Sequence, residues 1–259
     1  MKNIILFILL FPLVLFSQKQ DLTQNKYLRI KGIVYKNELS IEAKLNTLGF
    51  SLGINKGKII SYHTTRYYHF EVAFMKSFKE KKTNLVSTGL NVYNKYSYGK
   101  VNYFFPIRLG MGTKRFLSEK DTNKGVAVGY SIEGGVDLAV LKPYYIYVKS
   151  GFDGHSIFLN QIRYTEENRD IFIDENLIYD RGSFFKGFNH LSFIPGIHVN
   201  AAAHFAIKAY EKPVFAFETG VMIDAFIKRV PIMVETTGFK NNFIFINVFI
   251  NVLLGKRWN

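Results

Sequence analysis

Cysteine is absent from the 259 residues. Disulfide scaffolds and thiolate-held zinc or iron–sulfur sites are therefore excluded. Acidic residues are in deficit: 20 Asp+Glu stand against 34 Lys+Arg, a formal charge of +14. Tryptophan occurs once, at Trp258. Beyond residue 17 no apolar run reaches the roughly 18 residues a membrane helix needs. The basic balance brings no arginine stripe interleaved with aromatic platforms, so nucleic acid is not indicated as a partner. What is abundant is apolar: 48% of residues are hydrophobic and 16% aromatic. That is too rich for a disordered chain.

The first residues are arranged for export. Lys2 precedes an apolar run over 4–16 broken only by Pro12, and Ser17 follows as a small residue suited to cleavage. Positive start, apolar stretch and small residue make a signal peptide over 1–17. Residues 18–32 form a lead-in and 33–259 the folded body.

That body alternates with period two. Val126, Val128, Tyr130, Ile132, Val136, Leu138 and Val140 share one parity, while Ala127, Gly129, Ser131, Glu133, Gly135 and Asp137 share the other. In a strand the two sets face opposite sides. Similar alternation runs through 48–54, 70–74, 101–109, 191–207, 215–225 and 243–258, with shorter candidates at 38–45 and 143–149. About nine strands result, many of 10 to 16 residues. Ordinary soluble strands average about five or six. A tilted membrane strand needs this length and one continuous apolar face. The opposite face is rich in Gly, Ala, Ser and Asn instead of Lys, Glu and Thr. Small residues there suit the crowded interior of a narrow closed barrel, not a water-facing sheet.

The ending of the chain, residues 249–259, alternates and carries an aromatic residue next to last, Trp258. It resembles the last strand of Gram-negative outer-membrane barrels, whose terminal aromatic is read by the barrel-assembly machinery. Segments 46–53, 98–112, 125–145 and 231–258 extend the likeness, so that most of the chain is similar to an uncharacterised outer-membrane β-barrel protein family of Gram-negative bacteria. The resemblance implies an all-β fold, an antiparallel transmembrane β-barrel, in the cell outer membrane, and brings no activity. It makes 18–32 a periplasmic lead-in. Outer-membrane barrels take even strand numbers, so nine candidates imply 8 or 10 strands.

Short turns are expected at Leu141-Lys142 and 209–212, and longer loops at 78–99, 113–124, 150–190 and 227–241. Pro106 and Pro195 imply bulges or strand ends nearby. Residues 150–189 hold seven acids and four bases, so the remainder carries +17. They read as a plug or lid, or as a solvated outer loop. Thr165 could cap a helical turn within them. Tyr67, Tyr68, Tyr103, Tyr130, Tyr144, Tyr145 and Tyr147 suit interfacial girdles. Lys79, Lys81, Lys82, Lys114, Lys120 and Lys124 lie outside the strands, where they would meet the phosphates of lipopolysaccharide.

Three patterns could carry chemistry. Gly49-Phe50-Ser51-Leu52-Gly53 spells a nucleophile-elbow pattern, but no helix follows it, so its glycines are better read as relieving crowding. His190 and Ser192 share a strand face roughly 7 Å apart, as in some outer-membrane lipid hydrolases, and Glu218 could orient the histidine. His198, Asn200 and His204 with Glu218 and Asp224 could suggest a metal site. The six-residue spacing of the histidines is too long for adjacent ligands on one strand. A polar lumen network of Arg108, Glu133, Asp137, His198, Asn200, His204, Glu218 and Asp224 is the expected arrangement, with no metal and no cofactor. The sequence thus predicts a non-catalytic outer-membrane barrel with a structural, adhesive or small-ligand-binding role. Its partners are outer-membrane lipid, lipopolysaccharide and the barrel-assembly machinery; its oligomeric state stays open. The alternatives are a lipid-modifying hydrolase using His190, Ser192 and Glu218, and a narrow channel gated by 150–190.

Overall fold

The computed structural model describes residues 35–84, 95–117, 126–152, 157–174, 177–207 and 211–259. The expected signal peptide and lead-in lie outside the described residues. Among the described residues thirteen strands are formed: β1 Asn37–Asn46, β2 Gly49–Ser61, β3 Thr64–Met75, β4 Lys82–Asn84, β5 Lys95–Ser97, β6 Asn102–Phe116, β7 Ala127–Pro143, β8 Tyr145–Phe152, β9 Ile157–Arg163, β10 Ile178–Arg181, β11 Ser192–Ala206, β12 Pro213–Phe226 and β13 Ile244–Trp258. Eight of them close an antiparallel barrel in the order β1-β2-β3-β6-β7-β11-β12-β13, and β13 returns to pair with β1. The barrel strands are 10 to 17 residues long. Closure leaves no free sheet edge, the condition a β structure must meet to sit in hydrocarbon.

The alternation decides which face turns in. Along β1, Glu38, Ser40, Glu42 and Lys44 are buried, while Ile41 and Leu45 are exposed. The same reversal of soluble-protein logic runs round the barrel, with Leu52, Phe70, Leu109, Val136, Ile197, Val221 and Ile246 outside.

Both chain ends of the barrel wall, Asn37 and Trp258, lie at one end, together with the connections 62–63, 117–126 and 207–212. This is the termini end. The opposite, cap end carries the turn 47–48 and the long connections 76–101, 144–191 and 227–243. Leu141-Lys142 is not a turn: β7 runs through it to Pro143, paired with β6 and β11. The ninth candidate strand, near 143–149, becomes β8, which belongs to a separate sheet ordered β10-β8-β9 above the barrel mouth. With that strand removed from the wall, 78–99, 150–190 and 227–241 all fall at the cap end.

The prolines behave as their missing N–H requires. Pairing of β3 with β6 lapses between Val72↔Ile107 and Met75↔Phe104, beside Pro106, without a register shift. Pairing of β11 with β12 stops at Gly196, next to Pro195.

Two apolar clusters shape the cap end. Met75, Phe104, Leu141, Ile194, Phe226 and Phe245 of the wall enclose Val230, Ile232 and Met233 of the connection 227–243. Asn241 pins that connection. Its side-chain oxygen accepts the backbone N–H groups of Ile232 (3.2 Å) and Met233 (3.1 Å), and its amide donates to the Met233 carbonyl (2.8 Å). Above it, Tyr96, Val101, Tyr144, Ile146, Val148, Phe172, Ile178 and Val234 form the core of the cap. Phe172 comes from a short helix, α1 (Arg169–Ile173), which follows a 3₁₀ turn begun by Thr165.

Candidate functional site: the charged interior of the barrel

The inward parity gathers ionisable groups from seven of the eight strands, all but β2, between apolar layers that close the ends. Among the described residues, Glu38, Glu42, Glu71, Glu133, Asp137, Glu218 and Asp224 are buried in the lumen with Lys44, Arg108, Lys114 and Arg257. His69, His198 and His204 lie among them. Burying a charge is costly unless it is paired, and these groups are paired throughout.

Arg108 is the hub near the cap end. Its Nε and Nη2 donate to the two oxygens of Asp224 at 2.7 and 3.0 Å, and its Nη1 donates to Glu71. This bidentate fork spans the lumen, from β6 to β12. Glu71 also accepts from Lys44 at 2.5 Å, and Lys44 lies 3.2 Å from Glu42 and 5.0 Å from the centre of the Phe249 ring. His69 contacts Glu133 at 2.8 Å, and His198 contacts Asp137. Nearer the termini end, His204 lies 2.7 Å from Glu218, while Lys114 (3.1 Å) and Arg257 (2.8 Å) converge on Glu38. Asn251 joins the two halves by donating to both Glu42 (3.0 Å) and Glu218 (3.1 Å).

Of the sequence-predicted lumen residues, Arg108, Glu133, Asp137, His198, Asn200, His204, Glu218 and Asp224 are all buried inside the barrel. The network is larger than the one predicted. Glu42, Lys44, His69 and Glu71, inward on β1 and β3, also belong to it. Lys114, expected in a loop, is an inward residue of β6. The signal for it was present: its parity matches that of Arg108.

Other expectations change. Tyr67 is buried inside the barrel and Tyr144 and Tyr145 in the cap, so they form no girdle. Tyr68 is 66% exposed on the outer wall. Burial raises the Tyr144 hydroxyl above the ordinary tyrosine range. On the cap surface, the Asn241 backbone N–H donates to Glu235 at 2.9 Å and holds that carboxyl below its usual range.

The hydrolase constellation is not assembled. His190 ends a 3₁₀ turn, Phe188–His190, and is exposed, and Ser192 is exposed at the start of β11. Glu218 faces His204, twelve residues further along β11, so roughly 40 Å separates it from Ser192. Ser51 of the Gly-Phe-Ser-Leu-Gly segment points into the lumen from β2, where no helix follows. A Cβ on Gly53 would lie 2.9 Å from the Glu42 carboxylate, so this glycine makes room. His198 and His204 take separate carboxylates and form no common ligand set. Ligand atoms of Glu42, His69 and Glu71 do lie within 4.8 Å of one another. Those two carboxylates already share the Lys44 ammonium, and Glu71 also takes the Arg108 guanidinium.

Among the described residues, the lumen histidines His69, His198 and His204 each face a carboxylate. The chemistry is that of a filled interior in which seven carboxylates meet four Lys or Arg cations and three histidines. The mouth is closed by 227–243, and 150–190 stands above it as part of the cap. Near the termini end, Phe116, Ala127, Ala206, Ala216 and Leu253 pack as a further apolar layer.

No family model and no curated protein matches the sequence. Among solved structures, Neisserial surface protein A is similar at 10% identity and a TM-score of 0.37, over 86% of this chain and 96% of that one.

Proposed function

We propose that the chain is an integral outer-membrane β-barrel that acts without catalysis, presenting its cap outside the cell to ligands or surfaces. The observation that carries this reading is the inverted wall: large apolar side chains cover the outside on all eight strands, and ions fill the inside. In water such a wall would expose an apolar surface far larger than soluble monomers tolerate. In hydrocarbon it is the stable arrangement, and an up-and-down barrel with short connections at one end fits it.

In this reading the termini end faces the periplasm and the cap end the exterior. Trp258, 36% exposed and opposite Asn37 in the closing β13–β1 seam, is the residue the barrel-assembly machinery would read. Lys81, Lys228 and Lys240 are exposed at the cap end and offer cations to lipopolysaccharide phosphates. The filled lumen and the insertion of Val230, Ile232 and Met233 favour a closed barrel over a channel.

Fractionation followed by a heat-modifiability gel tests the reading. A band in the outer-membrane fraction that migrates faster unheated than boiled is expected. A folded, monodisperse protein in detergent-free buffer contradicts it. Planar bilayers separate the closed barrel, with no unitary conductance, from a channel.

A further inference from the structure

The ionisable residues of the barrel wall sort by direction. Every Asp and Glu in the eight barrel strands points inward. Five cations point outward: Lys56 and Lys58 on β2, Arg66 on β3, Arg115 on β6 and Lys256 on β13. All five lie within five residues of the termini end of their strands. On β7, β11 and β12 no exposed outward position is charged; Lys142, of outward parity at the cap end of β7, is buried against Phe184 and Phe188. The basic patch is thus confined to one side of the barrel and one depth. None of the five has an ion-pair partner among the described residues.

Three of these cations converge on a groove. Lys58 sits directly opposite Arg66 in the β2–β3 ladder, and Lys56 lies one same-face step away. Those spacings are roughly 5 and 7 Å. The groove, of about 870 Å³, continues from them over Met111, Ile132 and Val199, which are 63%, 54% and 55% exposed. Gly134 opens its floor: a Cβ there would meet only the His198 carbonyl, at 3.6 Å. A cationic head leading into an apolar trough matches a phosphate ester joined to an acyl chain.

We propose that this groove is a binding site for one anionic glycerophospholipid of the periplasmic leaflet. Lys58, Arg66 and Lys56 hold the headgroup phosphate, and an acyl chain lies over Met111, Ile132 and Val199 across Gly134. The proposal rests on the membrane reading above. It adds a lipid of defined charge, leaflet and azimuth to a wall that any bilayer would otherwise satisfy.

Native mass spectrometry of the delipidated, detergent-folded protein tests it, with dioleoyl phosphatidylglycerol titrated against dioleoyl phosphatidylcholine. The wild-type barrel should retain phosphatidylglycerol preferentially. Each interfacial cation contributes about fivefold, so Lys58→Gln with Arg66→Gln should cost roughly 25-fold and remove the preference. Gly134→Leu, which fills the trough and leaves the charges, should lower retention of both lipids. Arg163→Gln with Arg181→Gln, exposed on the cap strands β9 and β10, should leave the preference for phosphatidylglycerol as in wild type. A wild-type protein without preference, or a double variant that keeps it, overturns the proposal while the membrane reading stands. A protein that gives no heat-modifiable band in detergent overturns the membrane reading and the lipid site with it.

Discussion

Ile246 and Asn247 are neighbours in β13, yet one is 63% exposed on the outer wall and the other is fully enclosed in the lumen. The contrast holds round the barrel. Outside, beyond the basic patch near the termini end, side chains are mostly large and apolar. Inside, between the apolar layers at the two ends, many are small or charged, and the charges are joined across strands far apart in sequence. In a soluble protein the apolar face would gather the core, and here it is left outside. What holds the inside together is mutual neutralisation of ions, as in the fork from Arg108 to Asp224 and Glu71. The two faces should therefore fail differently when disturbed.

The largest effect is expected inside. Arg108→Met leaves Glu71 and Asp224 without their shared cation, and breaking a buried pair in this way costs about 3–5 kcal/mol. Urea titration of the folded barrel in detergent should show that loss, and adding Glu71→Gln and Asp224→Asn should recover much of it. Next comes the outside. Ile246→Lys puts an ammonium against hydrocarbon and should cost about 2–4 kcal/mol, with less folded band on a heat-modifiability gel. A variant as stable as wild type would mean that this face meets water.

The cap end gives a smaller effect. Asn241→Ala removes the side-chain acceptor of the Met233 N–H, a loss worth about 1–3 kcal/mol locally, while the Ile232 N–H keeps the Val230 carbonyl at 2.9 Å. Faster proteolysis within 227–243, with the barrel band intact, is the expected result. The smallest effect belongs to Ser192→Ala. Ser192 is exposed at the rim and far from Glu218, so stability should stay within about 0.5 kcal/mol, with no change in lipid deacylation.

The parity of the strands was legible because a two-residue period needs only local sequence, as at 126–140. The barrel, its closed state and the inward set containing Arg108, Glu133 and Asp224 follow from it. The pairing within that set was not legible. Glu38 meets Arg257 only because β1 and β13 close the barrel, a contact fixed by topology and not by spacing. Leu141-Lys142 read as a turn because alternation breaks there. In the fold β7 overshoots the wall, and Lys142 is satisfied by carbonyl groups of the cap at Phe184 and Lys186. His190 and Ser192 shared a face on paper, but the chain enters β11 only at Ser192, so His190 never joins it. Charge makes the acidic segment 150–190 read as a plug, a lid or a solvated outer loop. The mouth is closed instead by the apolar Val230, Ile232 and Met233, which in the sequence resemble any short loop.

The absence of cysteine makes a direct test of the wall clean, since any introduced thiol is unique. A fluorophore attached to Ile246→Cys in lipid vesicles should be strongly quenched by lipids carrying a nitroxide on the acyl chain. The same label at Thr237→Cys, exposed on the cap, should not be. Equal quenching at the two positions, or quenching of the 246 label by a water-soluble nitroxide alone, would contradict a hydrocarbon-facing wall.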